Sequence, residues 1–100
     1  QVNIAYEKQK SGIDPKDTNL FFETCKSKYD LDIIGLMCLP PNVEYPEKYF
    51  KQMLDLKKSL IMPHQHQVAE LSMGMSNDYI NAIHYKSTYI RIGTKIFGER

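Results

Sequence analysis

Apolar residues fall along the chain in short runs that predict four strands separated by three helices. The longest run, residues 31–39, is almost continuously apolar, which is typical of a strand covered on both faces. Shorter runs at residues 2–5, 70–73 and 87–92 predict the other three strands. The predicted order is β-α-β-α-β-α-β, with room for a short helical turn after Thr94.

The first helix is predicted to begin at Asp14 and Pro15, which suit the N-cap and the first helical position. It is predicted to end near Tyr29. Phe21, Cys25 and Tyr29 recur at i, i+4 and i+8, so we expect this face of the helix to pack inward.

Two further helices follow from the same kind of pattern. One is predicted at residues 46–60, with its apolar positions on one side: Phe50, Met53, Leu54 and Leu60. In the other, Ser76 is expected to be the cap of a helix that carries Ile80 and Ile83.

Strands that alternate with helices predict an α/β fold with parallel pairing and right-handed crossovers. Either a doubly wound sheet or part of a (β/α)8 barrel would fit, and four units make half of such a barrel. Residues 1–100 are interpreted as one partial domain. Four parallel strands alone leave two sheet edges unpaired, so we expect the chain to belong to a longer protein or to pair with a partner, including itself.

Composition narrows the function classes. A hydrophobic fraction of 42% with 25% charged residues excludes disordered and collagen-like chains. The net charge of +1 indicates neither a nucleic-acid partner nor an anionic membrane, and no apolar run approaches the roughly 18 residues of a membrane span. Cys25 and Cys38 lack metal or redox spacing, so we expect reduced thiols and a cytoplasmic protein.

Candidate chemistry lies where the last two predicted strands end. Gly93 and Thr94 follow one strand and Ser72 ends the other; backbone N–H and hydroxyl groups in such places bind phosphate. In (β/α)8 barrels the last two strands often form this site. Arg91 lies two residues before Gly93, on the same face. A capping serine and a turn glycine explain Ser72 and Gly93 equally well, and from position alone an exposed arginine in a salt bridge is the preferred interpretation of Arg91.

Other chemistry finds little support. His64 and His66 lie in PHQHQ with no partnering Cys or Asp, and together with His84 they are interpreted as solvated side chains, so no metal site is predicted. Asp30, Asp32 and Glu70 form no recognisable acid/base pair, and no catalytic residue is assigned.

Longer motifs make the interpretation specific. The segments LSMGMS and RIGTKIFGER, with QVNI, KSGI and GLMCLPP in the same order, resemble the C-terminal half of the pyridoxal phosphate (PLP) homeostasis protein family. That family is related to the N-terminal barrel of alanine racemase. The resemblance runs over essentially all 100 residues.

The resemblance implies a role for each motif residue. Ser72, Gly93 and Thr94 would hold the phosphate of pyridoxal 5'-phosphate, and Arg91 would lie near the pyridine nitrogen. A guanidinium only donates hydrogen bonds, so Arg91 would require an unprotonated ring nitrogen. The family implies binding and delivery of PLP with little or no catalysis.

The lysine that forms the Schiff base in the family lies in the N-terminal half of the barrel, and this sequence has no counterpart to that half. Lys10, Lys86 and Lys95 do not match its position, so covalent attachment of PLP by this chain alone is not expected. The implied partner is the missing N-terminal half or a chain that closes the barrel.

Two alternatives stay open. A PLP-dependent amino-acid racemase would need a lysine and a second acid/base on opposite faces of the cofactor. An interaction module without catalysis would use the glycine motifs only to turn the chain.

Overall fold

A computed structural model describes residues 1–62 and 68–99. In these two stretches a single 3-10 turn, Pro15–Asp17, precedes helix α1, Thr18–Tyr29. The elements that follow are β1 Gly35–Met37, α2 Glu47–Ser59, β2 Glu70–Ser72, α3 Tyr79–His84 and α4 Thr94–Phe97, so that strand and helix alternate as far as α3.

The sheet is parallel, as predicted. β1 pairs with β2 in the register Gly35 to Glu70 and Met37 to Ser72. Next to β1, Val2 forms a parallel bridge with Cys38. On the other side of β2, Ser72 forms a parallel bridge with Tyr89. The spatial order therefore follows the chain order, which is how strands run around a (β/α)8 barrel.

The first predicted strand, residues 2–5, is reduced to the single pairing residue Val2. Asn3 explains this, because its side-chain oxygen accepts the N–H of Glu7 at 3.0 Å and its amide donates to the carbonyl of Glu7 at 2.7 Å. Tyr6 then adopts a left-handed conformation with φ of 56°. A side chain that bonds the nearby backbone competes with the strand ladder.

The fourth predicted strand, residues 87–92, is likewise reduced to a bridge at Tyr89. Side-chain hydroxyls take over part of the pairing. Ser87 Oγ lies 2.7 Å from the carbonyl oxygen of Met73 and accepts the Met73 N–H at 3.1 Å, and Thr88 Oγ1 accepts the Leu71 N–H at 3.3 Å. The segment is attached to β2 as predicted, but without a regular ladder.

Helix α1 ends at Tyr29 as predicted but begins later and buries a different face. Asp14 makes no side-chain cap; instead its carbonyl accepts the Thr18 hydroxyl at 3.3 Å. The predicted inward face is wrong at two of three positions, since Phe21 and Tyr29 are exposed and Cys25 is buried. The observed inward face is Thr18, Phe22 and Cys25.

Helix α2 and its packing agree with the prediction. Phe50 and Met53 are fully buried, Leu60 is buried just after the helix, and Leu54 packs against the core. The main apolar cluster joins α2 and α3 to the sheet and consists of Val2, Ile4, Cys38, Phe50, Met53, Leu71, Met73 and Ala82. The predicted α/β class is confirmed.

The start of α3 differs from the prediction. The helix begins at Tyr79, and Ser76 makes no cap for it. Asp78 closes the preceding turn instead, because its Oδ1 accepts the Met75 N–H at 2.7 Å. Ile80 and Ile83 are exposed, and Ala82 is the buried residue of the helix.

Candidate functional site

Arg91 bridges the ends of both strands. Its Nη1 donates to Ser72 Oγ, its Nη2 donates to the carbonyl oxygen of Cys38 at 3.0 Å, and its backbone N–H donates to the carbonyl of Gly74 at 2.9 Å. The Nε atom is buried and has no hydrogen-bond partner among residues 1–62 and 68–99. Arg91 is thus held in place by these three hydrogen bonds, and its Nε–H is available for another partner.

Gly93 is open on the side where a side chain would lie. A Cβ added to Gly93 would meet no heavy atom within 4 Å, and its φ of −119° is accessible to any residue. Packing within the described part of the chain therefore does not require glycine at this position. The absence of a side chain leaves room for a ligand to approach the backbone.

Ser76 lies against the same backbone. Its Oγ accepts the N–H groups of Gly93 at 3.3 Å and of Lys95 at 3.2 Å. One oxygen atom between two converging N–H donors is the arrangement that an oxygen of a bound anion would also make.

The predicted site residues line two separate cavities. Ser72 contributes to one of about 270 Å³, together with Gly35, Met37, Glu70 and Tyr89. Gly93 and Thr94 contribute to another of about 350 Å³, with Phe97, Gly98 and Glu99. The structure thus brings Ser72 together with Arg91, and Gly93 together with Ser76.

Two more polar side chains, Glu70 and Tyr89, line the same cavity as Ser72. A hydrogen bond to Glu70, followed by the charge of that carboxylate, raises the pKa of the Tyr89 phenol. The Oε2 atom of Glu70 is buried and has no hydrogen-bond partner in the described stretches. Tyr89 therefore stays a protonated donor beside this carboxylate.

Cys38 is a packing residue rather than a nucleophile. Its thiol is fully buried and unbonded to the other cysteine, and burial raises its pKa to about 12 against the opposing charge of Arg91. Since the thiolate is the reactive form, this thiol is inert at neutral pH.

Two of the three lysines considered from the sequence are engaged. Lys10 Nζ donates to the carbonyls of Leu39 at 2.7 Å and Pro40 at 3.1 Å, and lies 2.9 Å from Glu7 Oε2. Lys95 Nζ sits 5.4 Å from the centre of the Tyr79 ring. Lys86 is exposed on the connection after α3.

Metal ligands do not gather in the described stretches, where no group of three His, Cys, Asp or Glu side chains could hold an ion. His84 is exposed, while His64 and His66 lie outside the described residues. Across residues 1–62 and 68–99, no helix has the length and apolar character to cross a membrane.

Sequence reasoning missed two residues of this region. Ser76 was interpreted as a helix cap, although it follows Ser72 by four residues in the same motif, LSMGMS. Lys10 was considered only as a candidate for covalent attachment, although it belongs to KSGI, one of the recognised segments. Both make contacts with residues distant in sequence, and no local pattern announces such contacts.

Parallel pairing in chain order and helical crossovers together define part of a (β/α)8 barrel, with polar side chains at the carboxyl ends of its strands. The sequence profile described as "Alanine racemase, N-terminal domain" matches residues 1–100. The chain belongs to this family.

Curated relatives carry a more specific name. The chain is 37% identical over 103 residues to the "Pyridoxal phosphate homeostasis protein" of Aquifex aeolicus, a match that covers 100% of this chain and 45% of that protein. The protein of the same name from Vibrio cholerae is 43% identical, with 100% and 43% covered. The chain thus spans less than half the length of these two relatives.

Solved structures agree with the fold. An "unknown protein from Bifidobacterium adolescentis" superimposes with a TM-score of 0.80 at 28% identity, over 96% of this chain and 40% of that one. PipY of Synechococcus elongatus, solved with PLP bound, gives a TM-score of 0.69 at 28% identity, over 94% of this chain and 46% of that one.

Proposed function

We propose that this chain forms the phosphate and ring-nitrogen side of a PLP site, in a protein that binds PLP and serves PLP homeostasis. The observation that carries the proposal is the fixed guanidinium of Arg91, whose Nε has no hydrogen-bond partner among the described residues. The names of the curated relatives and the PLP-bound PipY support it, and they favour homeostasis over amino-acid racemisation.

Arg91 would donate from Nε to the pyridine nitrogen. Both of its terminal nitrogens already donate to the protein, to Ser72 and to the Cys38 carbonyl, so they fix the orientation of the guanidinium and the direction of its Nε–H. A guanidinium carries no acceptor, and the ring nitrogen would therefore bind in its unprotonated form. An unprotonated ring withdraws electrons weakly, which suits a carrier better than carbanion chemistry.

The phosphate would lie against the backbone at Gly93 and Thr94, with Ser72 and Ser76 as hydroxyl partners. Gly93 offers the open approach, and Ser76 Oγ already receives the two N–H groups that a phosphate oxygen would receive. Ser76 could then turn its own hydroxyl toward the ligand as a donor. Ser72 would serve both the phosphate and the guanidinium of Arg91.

When bound, PLP supplies an aldehyde that reacts with amines, and its covalent lysine is expected outside this chain. Lys10 and Lys95 are already engaged, with carbonyl oxygens and a carboxylate for Lys10 and an aromatic ring for Lys95. The residues proposed here would bind and orient the cofactor and leave the covalent step to another part of the protein.

We further propose that residues 1–100 are the second half of the barrel and that its remaining strands come from the same polypeptide or from a partner chain. Strand β2 supports this, because Glu70 Oε2 is buried without a hydrogen-bond partner among the described residues. Such atoms cost free energy unless another group bonds them. The free, buried cysteines fit a cytoplasmic location.

The test is a titration of the complete protein with PLP, followed by absorbance. Arg91→Ala combined with Thr94→Val removes a charged donor and a hydroxyl, so we expect PLP affinity to fall at least about tenfold. Lys58→Ala with Thr24→Val makes the same kinds of change at an exposed and a partly exposed helix position, and it serves as the matched control. Unchanged affinity in the Arg91 and Thr94 variant would overturn the assignment.

A further inference from the structure

Three consecutive carbonyl groups at the carboxyl end of β1 accept hydrogen bonds from two cationic side chains. The Cys38 carbonyl receives Arg91 Nη2 at 3.0 Å, and the next two carbonyls, of Leu39 and Pro40, receive Lys10 Nζ at 2.7 and 3.1 Å. Two prolines follow Leu39 and provide no N–H groups to continue a ladder. Side chains therefore supply the donors that the backbone lacks here.

Lys10 is held by two hydrogen bonds and one ion pair. Its Nζ donates to the carbonyl oxygens of Leu39 and Pro40, and it lies 2.9 Å from Glu7 Oε2. The side chains of Lys10 and Glu7 are only 26% and 18% exposed, so water screens this ion pair less than one at the surface. Lys10 thus holds the backbone after β1 in a defined position.

We propose that Lys10 is a positioning residue for the guanidinium of Arg91, and that it acts by fixing the backbone from Cys38 to Pro40. The Cys38 carbonyl determines where Nη2 of Arg91 points, and the next two carbonyls are the ones that Lys10 holds. Without Lys10 this segment can relax, and the Cys38 carbonyl no longer keeps Arg91 in one orientation. The effect on PLP rests on the proposed function, whereas the effect on Arg91 does not.

A second observation places both cations beside the same residue. Cys38 is fully buried, and the charges of Arg91 and Lys10 both oppose the rise of its thiol pKa. Lys10 and Arg91 are 81 positions apart in sequence. The backbone between Cys38 and Pro40 links the two directly.

The first experiment needs no ligand. In the complete protein, Lys10→Met keeps a similar side-chain length and removes all three donors. We expect hydrogen exchange at the buried Arg91 Nε, measured by nitrogen-15 NMR, to become about tenfold faster, because a guanidinium that is no longer held in one orientation exposes this N–H to water. Lys8→Met, a change at an exposed lysine two positions away, is the control and should leave exchange unchanged. Unchanged Arg91 exchange in a folded Lys10→Met protein would overturn the proposal.

Glu7→Gln provides a milder variant that preserves the shape of the site. It leaves Lys10 without its carboxylate partner, and we expect Arg91 exchange to accelerate about threefold. This variant decides the question even if Lys10→Met fails to fold, since exchange equal to that of the wild type would again overturn the proposal.

A double-mutant cycle then separates positioning from general stability. Lys10→Met should lower PLP affinity about tenfold in the wild type, but less than about twofold in an Arg91→Lys background, because its effect passes through Arg91. Equal losses in both backgrounds would show that Lys10 acts by another route. If the wild type binds no PLP, the proposed function fails, and the exchange measurements still decide the role of Lys10.

Discussion

The two faces of the sheet differ in how far this chain completes them. On one face Leu71 and Met73 are fully buried and pack with helix α2 into the main apolar cluster. On the other face Glu70 and Ser72, the alternate residues of the same stretch, remain partly exposed beside polar neighbours. A single strand thus separates a finished core from a polar surface that carries the candidate site.

This difference shows how the chain divides stability from binding. Fully burying a side chain of the size of leucine or methionine contributes about 1.5 to 3 kcal/mol, so the α2 face supplies much of the free energy of folding. The opposite face contains the buried Glu70 and Arg91 atoms that lack partners in the described stretches. Stability therefore depends mainly on one face, and the proposed chemistry on the other.

The largest expected effect comes from a residue on which both faces depend. A Cβ added at Gly35 would lie 2.1 Å from the carbonyl oxygen of Glu70, a backbone atom that cannot move without breaking the pairing of β1 with β2. We expect Gly35→Ala to lower the free energy of unfolding by more than about 3 kcal/mol, measured by urea denaturation.

Gly93→Ala is the matched control. Its Cβ meets no heavy atom within 4 Å, so the free energy of unfolding should change by less than about 0.5 kcal/mol while PLP affinity falls. Equal destabilisation by the two substitutions would contradict the division between the two faces.

The buried face was the more predictable one. The apolar spacing of α2 correctly gave Phe50 and Met53 as core residues, because a long amphipathic pattern reports burial directly. The face of α1 was predicted wrongly, since Phe21 and Phe22 are adjacent and equally apolar, and only packing with Leu60 and Ala69 selects Phe22. Strand lengths were overestimated because hydroxyl and amide side chains replaced parts of the ladder.

For the polar face, which carries Glu70 and Ser72, sequence motifs identified the candidate residues but not their contact partners. Arg91 and Ser72 lie on neighbouring segments, 19 positions apart in sequence, and the alternation of side chains along one strand does not predict their hydrogen bond. The role of Lys10 depends on a contact with Leu39, and that of Ser76 on contacts with Gly93 and Lys95. These contacts arise from the three-dimensional arrangement of loops, which local sequence patterns do not encode.

The pH dependence of the free energy of unfolding tests the buried face, because the buried thiol of Cys38 should make this free energy fall in alkaline solution. Burial raises the pKa of this thiol from 9.0 to about 12 in the folded protein, so between these values the unfolded chain loses a proton that the folded chain keeps. The contribution of this thiol to the free energy of unfolding is fully present below pH 9 and is lost as the pH rises toward 12. We expect an extra loss of about 1 kcal/mol per pH unit, or about 2 kcal/mol between pH 9 and 11.

Comparison of slopes isolates this contribution. Cys38→Ala should reduce the slope of unfolding free energy against pH, whereas Cys25→Ala should preserve it, because Cys38 remains. Any constant destabilisation by either substitution cancels in the slope. Identical slopes for the wild type and the Cys38 variant would show that the thiol does not contribute.

The smallest expected effect comes from a residue that belongs to neither face. Lys86 follows α3 with a φ of 71°, in the left-handed region that glycine adopts without strain, and its N–H donates to the carbonyl of Ile83 at 3.0 Å. Lys86→Gly should therefore raise the free energy of unfolding by about 1 kcal/mol, measured by urea denaturation. Lys86→Ala retains the Cβ and should change stability by less than about 0.5 kcal/mol. Because Lys86 is exposed on the connection after α3, PLP affinity should stay the same in both variants; a change in affinity would mean that this connection also controls the polar face of the sheet.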